Sequence, residues 1–277
     1  DRRLFLLIYS EKSFPPDLNS FGINAWSWPR QSWYPAAILT DDEISSLAGN
    51  FNDMVEQVRD RYFFKETFGR YFPGAITASI IENKDEFKAQ HRLATILYTD
   101  IEAFTTICES LSPDDVVNLL NEYFSLLVEI INRHGGVVNQ FQGDAMLVTF
   151  NIPVVDANHA ADAVQTAVEI QLALAEHIFC HGEKMVTRIG VNTGNVVAGS
   201  VGVNDRLNYT VHGDAVNVAA RLDNLNKEFS SRVMISEETK SLAEYKWDSI
   251  VDFNAKGELL IRSKSEAVKV YEVISKS

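Results

Sequence analysis

The chain has 277 residues, of which 46% are hydrophobic, and a formal net charge of −13 at pH 7. The hydrophobic fraction is that of a globular protein with a sizeable core. The acidic balance argues against duplex nucleic acid as a partner, because binding to a phosphate backbone requires a basic surface. An anionic substrate is compatible with this charge where a divalent cation and a few local basic residues offset it.

The lengths of the apolar runs and the positions of the cysteines indicate the cellular compartment of the protein. No apolar run approaches the roughly 20 residues that span a bilayer, and the first residues lack the pattern of a signal peptide. Cys108 and Cys180 are far apart in apolar, helix-like stretches, which predicts reduced thiols in a cytosolic setting. Because the chain begins with Asp1 and not with methionine, we interpret it as part of a longer protein.

The first 88 residues form an N-terminal extension in this interpretation. Residues 1–40 contain three tryptophans and several prolines without a sustained period, so we predict an irregular segment, either a linker or a piece of a sensory domain. Within residues 41–88, apolar residues then recur at spacings of three and four, which predicts a short coiled-coil helix with the seam Ile44, Leu47, Phe51, Met54 and Val58. The stretch from Asp42 to Met54 resembles the second helix of a HAMP signal-relay module, with an ordinary amphipathic helix as the alternative. An aromatic-rich linker up to residue 88 would join this helix to the following domain.

Residues 89–277 are predicted to form one continuous domain with a hairpin in the middle of alternating helices and strands. This order favours an α+β fold, a ferredoxin-like βαββαβ sandwich with an antiparallel sheet, over a doubly wound parallel sheet. The predicted elements are a strand at 93–100, a helix at 112–134, strands at 136–142 and 145–150, a helix at 158–179, strands at 185–192 and 195–201, a short strand at 209–211, a helix at 214–226, a strand at 232–236, a short helix and a strand at 266–273.

Two aspartates stand at the ends of apolar, strand-like runs. Asp100 closes the first predicted strand, and Asp144 follows Gly143 between two β-branched and aromatic runs, where a Gly-Asp pair predicts a tight hairpin. A carboxylate at a strand end and another at a hairpin tip can converge on one place. Hard oxygen donors of this kind suit Mg²⁺, which prefers carboxylates, water and substrate phosphates.

Asn217 and Arg221 are four residues apart in the predicted helix that begins at Asp214, so they share one face. An amide and a guanidinium side by side can hold a phosphate and a nearby sugar oxygen. Taken by themselves, the two residues fit equally the solvated surface of a helix.

Four blocks of the sequence together strongly resemble the catalytic domain of class III nucleotidyl cyclases. They are Thr99–Thr105, Gly143–Asp144, Arg188–Gly202 and Asn208–Leu222, and the likeness extends from about residue 90 to 275. The order and spacing of the blocks carry the resemblance, which is far more specific than any single motif.

The resemblance implies a role for several residues. Asp100 and Asp144, with the carbonyl group of Ile101, match the ligands of two Mg²⁺ ions, for which Mn²⁺ can substitute. Asn217 matches the residue that orients the ribose, and Arg221 matches the residue that stabilises charge on the transferred phosphate.

Further substrate contacts follow from the same resemblance. Phe104 and Thr105, which come shortly after the first metal aspartate, match substrate-binding positions. Lys264 matches a lysine that binds the triphosphate, although Arg262 and Ser263 depart from the Lys-Gly-Lys pattern of the family.

Base selection is where the sequence differs from the family pattern. Gln140 occupies a position that is usually lysine in adenylate cyclases and glutamate in guanylate cyclases, and its amide can present either an acceptor or a donor to a base. Thr210 occupies the partner position and resembles the adenylate cyclases, so we predict ATP as the substrate.

The resemblance therefore implies an adenylate cyclase that converts ATP to 3′,5′-cyclic AMP and pyrophosphate in signal transduction. In the family the active sites form between two chains of a head-to-tail homodimer, which is a closed two-fold arrangement. The helix around 41–61 would transmit a signal from an upstream, membrane-embedded sensor, with this portion on the cytoplasmic side of the plasma membrane. One alternative is a guanylate cyclase, which is compatible with the neutral Gln140. The other is a silent cyclase-like module for dimerisation or nucleotide sensing. Such modules usually lack one of four residues that are all present here: Asp100, Asp144, Asn217 and Arg221.

Overall fold

The computed structural model describes residues 50–59, 89–203, 206–247, 251–260 and 267–276. The chain divides into two units, Asp1–Phe63 and Phe64–Ser277. The described part of the first unit is helix α1, residues 50–59, which lies within the helix predicted from the seam. Three of the seam residues, Phe51, Met54 and Val58, are exposed. The irregular segment 1–40, the rest of the seam and the predicted linker up to residue 88 lie outside the described residues, so the HAMP resemblance stays a prediction.

The described residues of the second unit form a mixed sheet with helices on both faces. None of the described helices is long and apolar enough to cross a membrane. A single turn of 3₁₀ helix at Cys180–Gly182 precedes the fourth strand. The elements in chain order are β1 (Gln90–Ile101), α2 (Phe104–Glu109), α3 (Pro113–Arg133), β2 (Val137–Gln142), β3 (Ala145–Phe150), α4 (His159–Glu176), β4 (Thr187–Val203), β5 (Arg206–His212), α5 (Asp214–Phe229), β6 (Val233–Ser236), α6 (Glu237–Trp247), β7 (Val251–Leu260) and β8 (Ala267–Ser275).

The topology confirms the predicted βαββαβ arrangement. Strands β2, β3, β1 and β4 are neighbours in that order and all pair antiparallel. Strand β6 continues the sheet parallel to β4, and β8 and β7 follow it. Strand β5 pairs with the second half of β4 as a hairpin arm.

Each face of the sheet has its own apolar core. Helices α3 and α4 cover one face, where Tyr123, Leu127 and Ile170 pack among the buried residues of the largest cluster. Helix α5 covers the other face, where its Ala215 packs in a second cluster with Val211 of β5. Helix α3 begins where the sequence indicates, because the Ser112 hydroxyl accepts a hydrogen bond of 3.2 Å from the backbone N–H of Asp115, and Pro113 occupies the first helical position.

Two element predictions were wrong in the C-terminal half. The predicted strands 185–192 and 195–201 are one continuous strand, β4, of 17 residues. Gly194 and Asn195 resemble a turn in the sequence, but both pair with β1, and Ala215 of α5 packs over Gly194. Strand β7 was not predicted at all, since it is a largely polar edge strand interrupted by a bulge at Gly257, whose φ is +117°.

Gly190 sets how closely α5 approaches the sheet. A Cβ atom at this position would lie 2.1 Å from the carbonyl oxygen of Ala219 and 2.3 Å from the backbone nitrogen of Asp223. Both atoms belong to the helix backbone, so a side chain could be accommodated only by moving α5 away from β4.

We therefore expect Gly190→Ala to lower the free energy of unfolding by about 3 kcal/mol, because overpacking forces a backbone shift. Gly199→Ala on the same strand is the control, since its Cβ atom would have its nearest neighbour at 3.3 Å. Urea unfolding of the two variants would measure the difference. Equal stability of the two variants would contradict this account of Gly190.

Candidate active site

Asp100 and Asp144 meet at one end of the sheet. Asp100 is the penultimate residue of β1, and Asp144 lies in the two-residue turn between β2 and β3, where Gly143 has a φ of +67°. Because β3 pairs with β1 up to Thr99, the turn ends beside Asp100. The Asp144 carboxyl group lies against the Asp100 carboxyl group and the backbone N–H of Ile101.

The charges of this pair are unequally compensated. Burial, and secondarily the charge of Asp100, raises the pKa of the Asp144 carboxyl group. Asp100 instead accepts a hydrogen bond of 3.0 Å at Oδ2 from Nη2 of Arg188, its direct cross-strand partner on β4. Among the described contacts, the two facing carboxyl groups therefore have one cationic partner, Arg188. It forms an ion pair with Asp100 and not with Asp144.

A third carboxyl group lies behind the pair. Asp223 of α5 is 1% exposed, and burial, followed by the charge of Asp100, raises its pKa to about 8. The nearby Arg188 and Lys227 act in the opposite direction. Within the described part of the chain, Oδ1 of Asp223 and Nε of Arg188 are buried without a hydrogen-bond partner.

Neither Arg188 nor Asp223 was predicted as a site residue from the sequence. A signal was present for both: Arg188 is the only charged residue of β4, and Asp223 falls on the buried face of α5 with Leu222 and Ala219. The sequence alone does not reveal that the two side chains are neighbours.

The donor set suits a hard divalent cation. The described residues contain no group of three or more His, Cys, Asp or Glu side chains that could hold a metal ion. Mg²⁺ nevertheless needs only one or two carboxylates from a protein when substrate phosphates and water complete its coordination. Asp100 and Asp144 provide two carboxylates next to the backbone of Ile101. Burial, and secondarily the charge of Asp100, raises the pKa of Asp144, and a cation bound between the two carboxyl groups would favour the ionised form against both.

The structure places the predicted base-selecting residues on two strands that contact each other, β2 and β5. Gln140 is exposed on β2, directly after an irregularity in its pairing with β3, and Thr210 is half-buried on β5. Phe104 and Thr105 open α2, where Phe104 packs on the core and Thr105 is exposed. Lys264 lies outside the described residues.

Asn217 and Arg221 lie on a different side of α5 from Asp223. Asn217 is exposed and Arg221 is half-buried, with its Nη1 atom buried and unbonded among the described residues. At 100° per residue, Arg221 and Asp223 are roughly 160° apart around the helix. The face with the Asn217–Arg221 pair therefore points away from the side of α5 that reaches the aspartates of the same chain.

Comparison with known proteins identifies the family of this chain. Residues 87–275 match the family described as the adenylate and guanylate cyclase catalytic domain. The chain belongs to this family, the class III nucleotidyl cyclases.

Individual relatives include members of both substrate types. Adenylate cyclase 1 of Rhizobium meliloti strain 1021 is 36% identical over 239 residues, which are 84% of this chain and 34% of that protein. The crystal structure of the adenylyl cyclase CyaB from P. aeruginosa has a TM-score of 0.59 and 28% identity, covering 69% of this chain and 97% of that one. The crystal structure of the guanylyl cyclase Cya2 has a TM-score of 0.59 and 31% identity, covering 68% and 94%. The chain thus spans about a third of the length of its full-length curated relatives.

Proposed function

We propose that this chain is the catalytic portion of an adenylate cyclase that forms 3′,5′-cyclic AMP and pyrophosphate from ATP at a site shared by two copies of the chain. The observation that carries the proposal is the convergence of Asp100 and Asp144 beside Arg188, in a chain of the cyclase family. The orientation of Asn217 and Arg221 supports the shared site, because their face of α5 points away from the aspartates of their own chain. A second copy in a two-fold arrangement would bring the two halves together.

The reaction requires the ribose 3′-hydroxyl group to attack the α-phosphorus atom and to expel pyrophosphate. Two Mg²⁺ or Mn²⁺ ions held by Asp100, Asp144 and the Ile101 carbonyl group would supply the polarisation that activates the attacking oxygen and stabilises the leaving one. Arg221 of the second copy offsets the charge that grows on the α-phosphate, and Asn217 orients the ribose.

Other side chains complete the substrate site in this proposal. Arg188 adjoins the aspartates, so its guanidinium group can donate to phosphate oxygens once Asp100 is occupied by a cation. Phe104 and Thr105 would contact the substrate from the start of α2, and Lys264 would bind the triphosphate. Gln140 and Thr210, on the contacting strands β2 and β5, would hold the base.

The regulatory part of the proposal concerns the N-terminal unit. The seam residues Phe51, Met54 and Val58 are exposed on α1, as a helix that pairs with a second copy requires. We infer that the region 41–61 couples the catalytic domains to an upstream sensor, in a protein anchored in the plasma membrane with this portion in the cytoplasm.

Relative turnover of ATP and GTP is the test of the adenylate assignment. We expect ATP to have a higher kcat/KM than GTP by roughly ten- to a hundredfold, because the discrimination depends on neutral hydrogen bonds worth about 1–3 kcal/mol. Gln140→Lys is expected to increase this preference, since a fixed donor replaces an amide that can turn either way. Asn118→Lys, which adds the same charge at an exposed position of α3, is the control.

A higher kcat/KM for GTP would replace the adenylate assignment by guanylate cyclase, a runner-up supported by the neutral Gln140 and by the similarity to Cya2. Absence of turnover with either nucleotide, in the presence of Mg²⁺ or Mn²⁺, would leave the silent cyclase-like module as the better description.

A further inference from the structure

Arg188 lies between two carboxyl groups that come from different elements. Asp100 on the neighbouring strand accepts a hydrogen bond of 3.0 Å from its Nη2 atom. On the side of α5, the positive charge of Arg188 acts on the buried carboxyl group of Asp223. Arg188 and Gly190 are two residues apart in β4 and share one face of the sheet, and the helix backbone at Asp223 rests directly on Gly190.

The pairing of Arg188 with these groups is incomplete. The Nε atom of Arg188 and the Oδ1 atom of Asp223 are both buried, and neither has a hydrogen-bond partner in the part of the chain that the structure describes. Leaving a buried polar atom unpaired costs folding free energy, so a fold that keeps two of them calls for an explanation. An arginine has five N–H donors, and Arg188 has donors left after its bond to Asp100.

We propose that Asp223 is a positioning residue that holds the Arg188 guanidinium group beside the Asp100–Asp144 pair, ready to bind the phosphates of the substrate. In the structure Asp100 occupies one side of that guanidinium group. When a cation takes up the charge of Asp100, the Oδ1 atom of Asp223, unpaired among the described residues, is the acceptor to which the free donors of Arg188 turn. Without Asp223, the guanidinium group loses this acceptor, and its bond to Asp100 competes with the binding of cation and phosphates.

This inference rests on the proposed function, since it concerns the phosphates of a nucleotide at that site. The test therefore uses a binding measurement that needs no turnover. Asp223→Leu removes the carboxyl group and keeps the branched shape of the side chain, and Asp223→Asn keeps an acceptor oxygen but cannot ionise. Asn224→Leu changes the next residue of α5, which is exposed, and is the matched control.

Calorimetry on the whole chain would measure the binding of manganese pyrophosphate and of adenosine, alongside kcat/KM and the melting temperature. For Asp223→Leu we expect pyrophosphate binding to weaken by about tenfold or more, as for loss of a hydrogen bond that supports a charged group. Adenosine binding is expected to stay within about twofold, and the melting temperature is expected not to fall, since a buried polar atom without a hydrogen-bond partner in the described part of the chain is removed. Asp223→Asn should show a smaller loss of pyrophosphate binding in the same direction.

Unchanged pyrophosphate binding in Asp223→Leu would overturn the inference. Parallel weakening of adenosine and pyrophosphate with a lower melting temperature would overturn it too, because that pattern means a general structural role. If Asp223→Leu does not fold, Asp223→Asn decides, and wild-type pyrophosphate binding in that variant refutes the inference. A wild-type chain that binds manganese pyrophosphate but turns over neither ATP nor GTP would refute the proposed function. The comparison of pyrophosphate binding between the Asp223 variants would then still test the role of Asp223.

Discussion

Replacing Asp144 by asparagine is expected to abolish formation of the cyclic nucleotide and to leave the domain folded. The amide has nearly the same shape as the carboxyl group but cannot supply the charge that a divalent cation requires, so we expect kcat/KM to fall by about a thousandfold or more. The stability should not decrease. Because the pKa of Asp144 is raised in the folded chain, its ionised form destabilises the fold at neutral pH, and the neutral amide removes that cost.

Two measurements check this expectation: cyclic-nucleotide production with saturating Mg²⁺, and urea unfolding at pH 7. Glu258→Gln on the distant edge strand β7 removes the same charge from an exposed position and serves as the control. Activity of Asp144→Asn close to that of the control would refute the assignment of Asp144 as a metal ligand. A large loss of stability with the loss of activity would mean that Asp144 supports the hairpin instead.

Mixing two inactive variants is expected to restore activity if the site is shared between chains. In an Asp100→Ala homodimer and in an Arg221→Ala homodimer, every site carries one lesion. In a heterodimer both lesions fall in one site and the other site is wild type. With random mixing about half of the dimers are heterodimers, so activity should recover to roughly a quarter of the wild-type value by two-fold symmetry.

The control for this experiment is a mixture of Asp100→Ala with Asp144→Ala. These two residues meet within one chain, so every site keeps a lesion and no recovery is expected. Subunit exchange must be demonstrated by mass spectrometry of differently tagged chains. Stable Asp100→Ala/Arg221→Ala heterodimers without activity would show that Asp100 and Arg221 of one chain serve the same site, and the shared arrangement would be wrong.

The sequence predicted the parts of the fold that depend on local signals. The Gly143–Asp144 hairpin was located from a turn dipeptide, and the helix predicted at 112–134 agrees within one residue at each end with α3. The continuity of β4 through Gly194 and the polar edge strand β7 could not be located in this way. Their hydrogen bonds are made with strands far away in sequence, and those bonds override the local preference of the residues.

For the site, the residues by themselves indicated that Asp100 and Asp144 could meet, and the family resemblance supplied the expected roles of Gln140, Thr210, Asn217 and Arg221. These follow from spacing along single elements and from matching blocks. What the tertiary structure decided is the surroundings of the aspartates. The register of β1 with β4 sets Arg188 opposite Asp100, 88 positions apart in sequence, and the missing side chain of Gly190 lets α5 bring Asp223 behind them. No local pattern encodes such a neighbourhood, because the burial and charge that raise the pKa of Asp223 exist only once sheet and helix have packed together.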